Sequence, residues 1–87
     1  MGTPAYFVYV LQCADETYYT GITTDLERRI EEHNTSPKGA KYTRARRPVV
    51  LRHSEEYPNK SEALKREMTI KKMKRAAKIK LIRKESS

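Results

Sequence analysis

Residues 6–22 read Tyr6-Phe7-Val8-Tyr9-Val10-Leu11-Gln12-Cys13, then Ala14-Asp15-Glu16-Thr17, then Tyr18-Tyr19-Thr20-Gly21-Ile22. Two runs rich in aromatic and β-branched residues flank a short polar link, which predicts an antiparallel hairpin with strands over Tyr6–Cys13 and Tyr18–Ile22. Alternation puts Phe7, Tyr9 and Leu11 on one face of the first strand and Tyr6, Val8 and Val10 on the other. Both faces are largely apolar, so this strand should be central or covered by a layer on each side.

Outward from the hairpin, Thr23-Thr24-Asp25-Leu26-Glu27 reads as a helix start. Thr24 and Glu27 have the spacing of a capping box, and Asp25 suits the positive end of the helix dipole. The helix should reach about His33 and stop near Asn34, with Leu26 and Ile30 as its apolar stripe. At about 100° per residue, Arg29 and His33 flank that stripe while Arg28 points away from it. An arginine against an apolar face is costly unless it is paired or used. Residues 34–48 read as a loop with five basic residues, Lys38, Lys41, Arg44, Arg46 and Arg47, one aromatic, Tyr42, and no acid. Val49–Tyr57 follows as a loosely alternating third strand between Pro48 and Pro58. Asn59, with Glu62 three residues on, caps a helix expected over Lys60–Met73 with an apolar arc of Ala63, Leu64, Met68 and Ile70. Glu67 falls inside that arc. Lys71 and Lys74 would drift onto the same face of a straight helix, so the chain should turn near Lys74. A last helix over Arg75–Arg83 has a moderate apolar side, and Ser86 and Ser87 should fray. The expected class is α+β, a three-stranded antiparallel sheet flanked by helices in the order β-β-α-β-α-α, in one domain over residues 1–87.

Composition narrows the setting. An 87-residue chain makes a thin core and leaves little room for a large internal pocket. The lone Cys13 allows no internal disulfide and no cysteine cluster for zinc, and is expected as a small buried hydrophobe. No secretion signal or membrane-spanning run is legible, so the expected setting is cytoplasmic. The net charge is +8, and residues 38–87 hold seventeen of the nineteen Lys and Arg. That asymmetry points to a polyanionic partner, nucleic acid before membrane. The loop with Lys38, Lys41, Tyr42, Arg44, Arg46 and Arg47 is the candidate contact surface, its cations for phosphates and its ring for base stacking.

Two tyrosines on the hairpin, Tyr9 and Tyr19, an inward Arg29, His33 one turn later and Glu67 on a distant helix make a set able to hydrolyse a phosphodiester. The carboxylate would hold a hard divalent cation whose remaining positions go to water and phosphate oxygens. The cation and Arg29 would share the charge that builds on phosphoryl oxygens. A tyrosine phenolate would take a proton from the attacking water. Spacing alone does not single out this chemistry, because strand tyrosines usually pack and helix glutamates usually face solvent.

In order, Phe7-Val8-Tyr9, Tyr19-Thr20-Gly21, Leu26-Glu27-Arg28-Arg29-Ile30 with His33, the Lys38–Arg44 run and the Ser61–Glu67 helix resemble the GIY-YIG nuclease superfamily. The likeness is to its small single-domain branch, related to the nuclease domain of the excision-repair excinuclease, and covers about Tyr6 to Leu81. It implies a metal-dependent endonuclease acting on nucleic acid, DNA before RNA, in repair or processing. Carried over by position, Tyr9 matches the tyrosine often assigned as general base and Tyr19 the one that positions phosphate or water. Gly21 matches the motif glycine, which permits close approach of helix or substrate. Arg29 matches the superfamily arginine, His33 a frequent histidine, and Glu67 the lone ligand of one Mg2+ or Mn2+. The chain departs from the pattern in Phe-Val-Tyr and Tyr-Thr-Gly, in lacking the lysine that some relatives carry near the second motif, and in lacking a late asparagine. The alternative is a non-catalytic nucleic-acid-binding module on the same fold. A monomer is expected, with a protein partner supplying targeting.

Overall fold

The computed structural model describes residues 5–86. Strands β1 (Tyr6–Gln12), β2 (Tyr18–Thr23) and β3 (Val50–Tyr57) form one antiparallel sheet in the order β2-β1-β3. β1 is therefore central, as its two apolar faces require. The hairpin link closes through Cys13 N–H to Thr17 O at 2.8 Å and Glu16 N–H to Cys13 O at 2.9 Å. The Asp15 carboxylate ties the link further by accepting from the Thr17 amide and hydroxyl. Glu16 takes the left-handed turn at φ 67°.

Helix α1 (Leu26–Thr35) follows β2, a single turn α2 (Lys41–Arg44) precedes β3, and α3 (Lys60–Lys71) and α4 (Arg75–Ser86) complete the chain. α1 begins one residue later than the Thr24 capping box predicts. Asp25 is the cap, its carboxylate accepting from Arg28 N at 3.1 Å, while Thr23 bonds Asp25. A carboxylate at this position serves both as cap and as dipole partner, so it displaces the neutral threonine. Asn59 caps α3 as expected, accepting from Glu62 N at 2.9 Å. The turn expected near Lys74 lies at Lys72–Lys74, between α3 and α4. Ser86 is the last residue of α4, and Ser87 and Met1–Pro4 lie outside the described residues.

Two cores lie on opposite faces of the sheet. On one, Val8, Val10, Ala63 and Ile70 are buried, with Tyr6, Tyr18, Ile22, Tyr57, Met73, Leu81 and Ile82 packed around them. This is the side of α3 and α4. On the other, Tyr9, Leu11, Cys13 and Val49 are buried under Leu26 and Ile30 of α1. The loose alternation of the third strand has a local cause. Val10 pairs with His53 and Leu11 with Leu51, so Arg52 is an extra residue that bulges β3. The apolar arc of α3 also differs from its predicted line. Leu64 is 37% and Met68 55% exposed, while Ala63 and Ile70 are buried. The buried stripe runs through Ala63, Glu67 and Ile70, so Glu67 sits on the interior line itself.

No helix among the described residues is long and apolar enough to cross a membrane.

Candidate active site

β1 and β2 place Tyr9 and Tyr19 on the α1 face of the sheet, and α1 brings His33 down onto them. His33 is fully buried. Its ring centroid lies 5.7 Å from that of Tyr9 and 5.2 Å from that of Tyr19, both edge-on. The two tyrosine rings stand 6.4 Å apart. The Tyr9 hydroxyl lies 2.8 Å from His33 Nε2. On the far side of the imidazole, Nδ1 lies 2.7 Å from the Thr43 hydroxyl of α2.

Gly21 is the cross-strand partner of Tyr9. A Cβ there would stand 2.5 Å from the Tyr9 hydroxyl and 3.2 Å from the Tyr19 ring. Of the helix or substrate expected to approach this glycine, neither is the nearest neighbour: the space next to it is taken by the phenol of Tyr9. The ring needs the space because it is buried between the two strands and α1.

Arg29 is half-buried at the edge of the same face, and Arg28 is exposed, as the helical spacing requires. The guanidinium of Arg29 is held by the Glu32 carboxylate at 3.0 Å and the Lys38 carbonyl at 2.9 Å. Burial works against its charge, but Glu32 and the neighbouring Tyr9 phenol together keep its pKa above the ordinary value. Burial pushes the Tyr9 hydroxyl up to about 12, with Arg29 pulling the other way and the charge of Glu67 adding to the rise. Tyr9 is therefore a neutral phenol at pH 7 in the unliganded protein. Burial first and the Arg29 cation second bring His33 down to about 4, so its imidazole is neutral as well.

Glu67 lies on α3, which packs on the face opposite α1. β2 is an edge strand of the sheet. A cleft of about 220 Å³ there is lined by Tyr18, Tyr19, Thr20, Tyr42, Lys71 and Lys78. Strand alternation sends Tyr19 to one face and Tyr18 and Thr20 to the other, so the cleft wraps the edge strand. Tyr18 packs against the α3-side core, the role expected for it, and also lines the cleft. The Thr20 hydroxyl is buried without a hydrogen-bond partner among the described residues.

The Glu67 side chain is 14% exposed and faces Lys71 Nζ at 3.5 Å. Among the described residues no three His, Cys, Asp or Glu side chains converge on one point. A lone, partly buried carboxylate, whose ion-pair partner Lys71 lines the cleft, suits a hard cation completed by water and substrate oxygens, and does not make an all-protein cage.

The basic segment divides. Lys38, Lys41 and Arg44 are exposed. Arg46 donates to Asp15 at 3.0 Å and to the Tyr42 carbonyl at 3.0 Å, with its guanidinium carbon 3.8 Å from the Tyr42 ring centre. Tyr42 in turn stacks on Tyr19 with centroids 6.1 Å apart. Arg47 donates to the carbonyls of Glu32, His33 and Ser36 and so closes the C-terminal end of α1. The segment is not a free loop. Asn34 exchanges hydrogen bonds with Val49, donating to its carbonyl at 3.1 Å and accepting from its amide at 2.7 Å. The run Ala40–Arg47 contains neither Gly nor Pro, and that absence is the one sequence signal for α2. Gly39 and Thr43 stand inside the Lys38–Arg44 run, but sequence reasoning gave them no site role, since a lone threonine in a basic run has no diagnostic spacing.

His53, expected to be structural, is buried on β3 away from this group and lies 2.6 Å from the Glu55 carboxylate. Glu55 also accepts from Tyr57 and twice from Arg66. Cys13 is buried in the α1-side core, as its type predicts.

A family model described as the GIY-YIG catalytic domain matches residues 5–80. The UPF0213 protein DP2720 of Desulfotalea psychrophila is 61% identical over 70 residues, covering 80% of this chain and 64% of its own length. The chain therefore spans just under two thirds of that relative. The UPF0213 protein VNG_2274C of Halobacterium salinarum is 59% identical over 71 residues, covering 82% of this chain and 91% of its own. Among solved structures, the solution structure of the UPF0213 protein BH0048 from Bacillus halodurans superposes with a TM-score of 0.58 at 45% identity, over 90% of this chain and 82% of the other. That of the protein EF2693 from E. faecalis gives 0.64 at 40% identity, over 95% and 88%. With the β2-β1-β3 sheet, the paired tyrosines and the glycine beneath Tyr9 in place, the match over most of the chain's length shows that the chain belongs to the GIY-YIG family of nuclease-type domains.

Proposed function

We propose that the chain is a divalent-metal-dependent endonuclease that hydrolyses nucleic-acid phosphodiester bonds along the free edge of β2. One observation carries this reading. The buried Tyr9 hydroxyl lies 2.8 Å from Nε2 of the buried His33, in space that Gly21 leaves open, with the Arg29 guanidinium at the edge of the same face. Burying a phenol–imidazole pair beside an arginine is costly without a use, and such groups cluster at functional sites.

The substrate strand would lie in the cleft of Tyr18, Tyr19, Thr20, Tyr42, Lys71 and Lys78, with Lys38, Lys41 and Arg44 contacting more distant phosphates. Arg46 and Arg47 serve instead to hold the segment in place, so the basic contact surface is narrower than the charge run. Glu67 would hold Mg2+ or Mn2+, which when bound supplies Lewis-acid stabilisation of the phosphoryl oxygens. Arg29 shares that charge. Tyr19 borders the cleft and orients phosphate or water. Tyr9 takes a proton from water as its own passes to His33 Nε2, so the pair acts as the base although the isolated phenol is a weak one at neutral pH. By family resemblance DNA is favoured over RNA, in repair or processing, with a 5′-phosphate and a 3′-hydroxyl as products, in a monomer of one domain acting in the cytoplasm and targeted by a protein partner.

The test is cleavage of DNA and RNA substrates with and without Mg2+ or Mn2+, with Glu67→Ala beside wild type. A second reading, a nucleic-acid-binding module without catalysis, draws on the Lys71 ammonium already facing Glu67. It predicts salt-dependent binding that Glu67→Ala leaves unchanged, with no cleavage in any metal.

A further inference from the structure

The hydrogen-bond line behind Tyr9 runs on to Thr43, a residue of the Lys38–Arg44 run to which the resemblance assigns no catalytic role. His33 has both ring nitrogens engaged, Nε2 at 2.8 Å from the Tyr9 hydroxyl and Nδ1 at 2.7 Å from Thr43 Oγ1. Thr43 is itself fully buried, and its hydroxyl donates to the Ala40 carbonyl at 2.9 Å. This bond to the carbonyl three residues back is one that helical threonines commonly make. A hydroxyl carries one proton. With that proton on Ala40 O, Thr43 can only accept from the imidazole. On that arrangement Nδ1 would carry the ring hydrogen and Nε2 would turn its lone pair to the Tyr9 O–H. The Ala40 amide also lies 3.4 Å from Nδ1 and competes for that nitrogen as a donor. At 3.4 Å the Ala40 contact is at the long limit of a hydrogen bond and the Thr43 contact at 2.7 Å is at the short end, so a hydroxyl whose proton is on Ala40 O favours the Nδ1–H form over the competing one.

The surrounding chain is built to hold Thr43 at this place. A Cβ on Gly39 would meet Glu32 O at 2.7 Å and His33 Cα at 2.8 Å, so only glycine lets the chain pass this close under α1. Arg47 fastens the segment to the end of α1, and Arg46 fastens it to Asp15 in the hairpin link.

We propose that Thr43 is a positioning residue that fixes His33 in the Nδ1–H tautomer, so that Nε2 is the acceptor for the Tyr9 proton. The catalytic consequence rests on the nuclease reading above; the tautomer itself rests on hydrogen bonding alone. In the reaction, water's oxygen bonds to phosphorus and the P–O3′ bond breaks. The proton lost by water goes to the Tyr9 oxygen as the Tyr9 proton moves to Nε2. The 3′ oxygen leaves with the bonding pair and takes a proton from solvent.

The experiment is a long-range 1H–15N correlation spectrum of wild-type protein without metal or nucleic acid, with His33→Gln to assign the ring. The expected result is an Nδ1–H imidazole with an unprotonated Nε2; an Nε2–H ring overturns the proposal. Thr43→Val keeps the shape and removes the acceptor. It should shift the ring toward Nε2–H and lower metal-dependent cleavage by about tenfold or more. Binding of an uncleaved oligonucleotide by the same variant should stay within about twofold of wild type. Thr43→Ser should restore both tautomer and cleavage. A Thr43→Val protein with unchanged tautomer and cleavage overturns the proposal. If Thr43→Val does not fold, the wild-type spectrum and the serine variant decide. A tautomer that behaves as expected in proteins that cleave nothing leaves the positioning role standing and overturns the nuclease reading instead.

Discussion

Tyr9 and Gly21 face each other across the central strand pair, and the phenol of one fills the space that a side chain on the other would take. The hydroxyl stands 2.5 Å from where a Gly21 Cβ would be, with the rest of the ring close behind. Gly21→Ala must therefore displace the phenol from His33. The expected cost is about 1–3 kcal/mol of stability from overpacking. Cleavage should fall further than that loss accounts for, because the Tyr9–His33 bond breaks. Denaturant unfolding and single-turnover cleavage measured on the same protein separate the two effects.

The neighbouring arginines give a cleaner contrast. Arg29→Ala removes a cation that touches the site and should lower the cleavage rate about 100-fold. Arg28→Ala removes an exposed one and should change it no more than about twofold. Equal losses in the two variants would mean that charge on α1, rather than position, is what the reaction needs.

The α1 face of the hairpin is legible in the sequence. Alternation places Tyr9 and Tyr19, and helical spacing chooses Arg29 over Arg28. The two apolar faces of β1 put it at the centre of the sheet, and Asn59 reads as the cap of α3. Three features are not legible, for physical reasons. The α2 turn has no apolar periodicity because its one buried side chain, Thr43, is polar. Leu64 and Met68 draw the apolar arc of α3 off its true line, since counting hydrophobic residues makes Glu67 an intruder. It is in fact one of the stripe's members. The role of Arg47 depends on carbonyls at the end of α1, which no residue-type pattern records.

His33 sets a pH dependence. Its pKa is depressed to about 4, through burial first and then the Arg29 and Arg47 cations, with Glu32 opposing. A depressed value means that the folded protein binds this proton more weakly than the unfolded chain. The stabilisation is complete above the ordinary histidine range and is lost as pH falls from there through about 4. Cleavage should keep its base down to the same region, so its acid limb should lie well below pH 6. Tyr9, Tyr19 and Thr43 also pack on the ring, and Tyr9, pushed up to about 12, stays neutral at these pH values. An acid limb centred at the ordinary histidine pKa would contradict the burial argument. The histidine Cε1 proton shift, followed against pH, measures it directly.

Away from the site, Glu55 anchors β3 to α3 through Arg66 and also accepts from Tyr57 and faces His53. Burial alone would raise its pKa, but the Arg66, Tyr57 and His53 hydrogen bonds outweigh it and bring it down to about 2. That stabilisation is present above the ordinary carboxylate range and disappears as pH falls through about 2. Glu55→Ala should cost about 1–3 kcal/mol at neutral pH, by leaving hydrogen-bonding partners without an acceptor. It should also flatten the acid side of the stability profile while leaving cleavage per folded molecule unchanged. Urea unfolding between pH 2 and 7 for both proteins checks this.

The central claim is that Glu67, on the far side of the sheet from the tyrosines, completes a metal-dependent site with them. The direct measurement is single-turnover cleavage of a panel of duplex, single-stranded and branched DNA and RNA in Mg2+, in Mn2+ and in chelator, with Glu67→Ala prepared and assayed in parallel. Wild type should cleave at least one substrate in a metal-dependent reaction that is absent from Glu67→Ala, while both proteins bind that substrate alike. Equal cleavage by the two proteins, or none by wild type on any substrate in either metal, would contradict it.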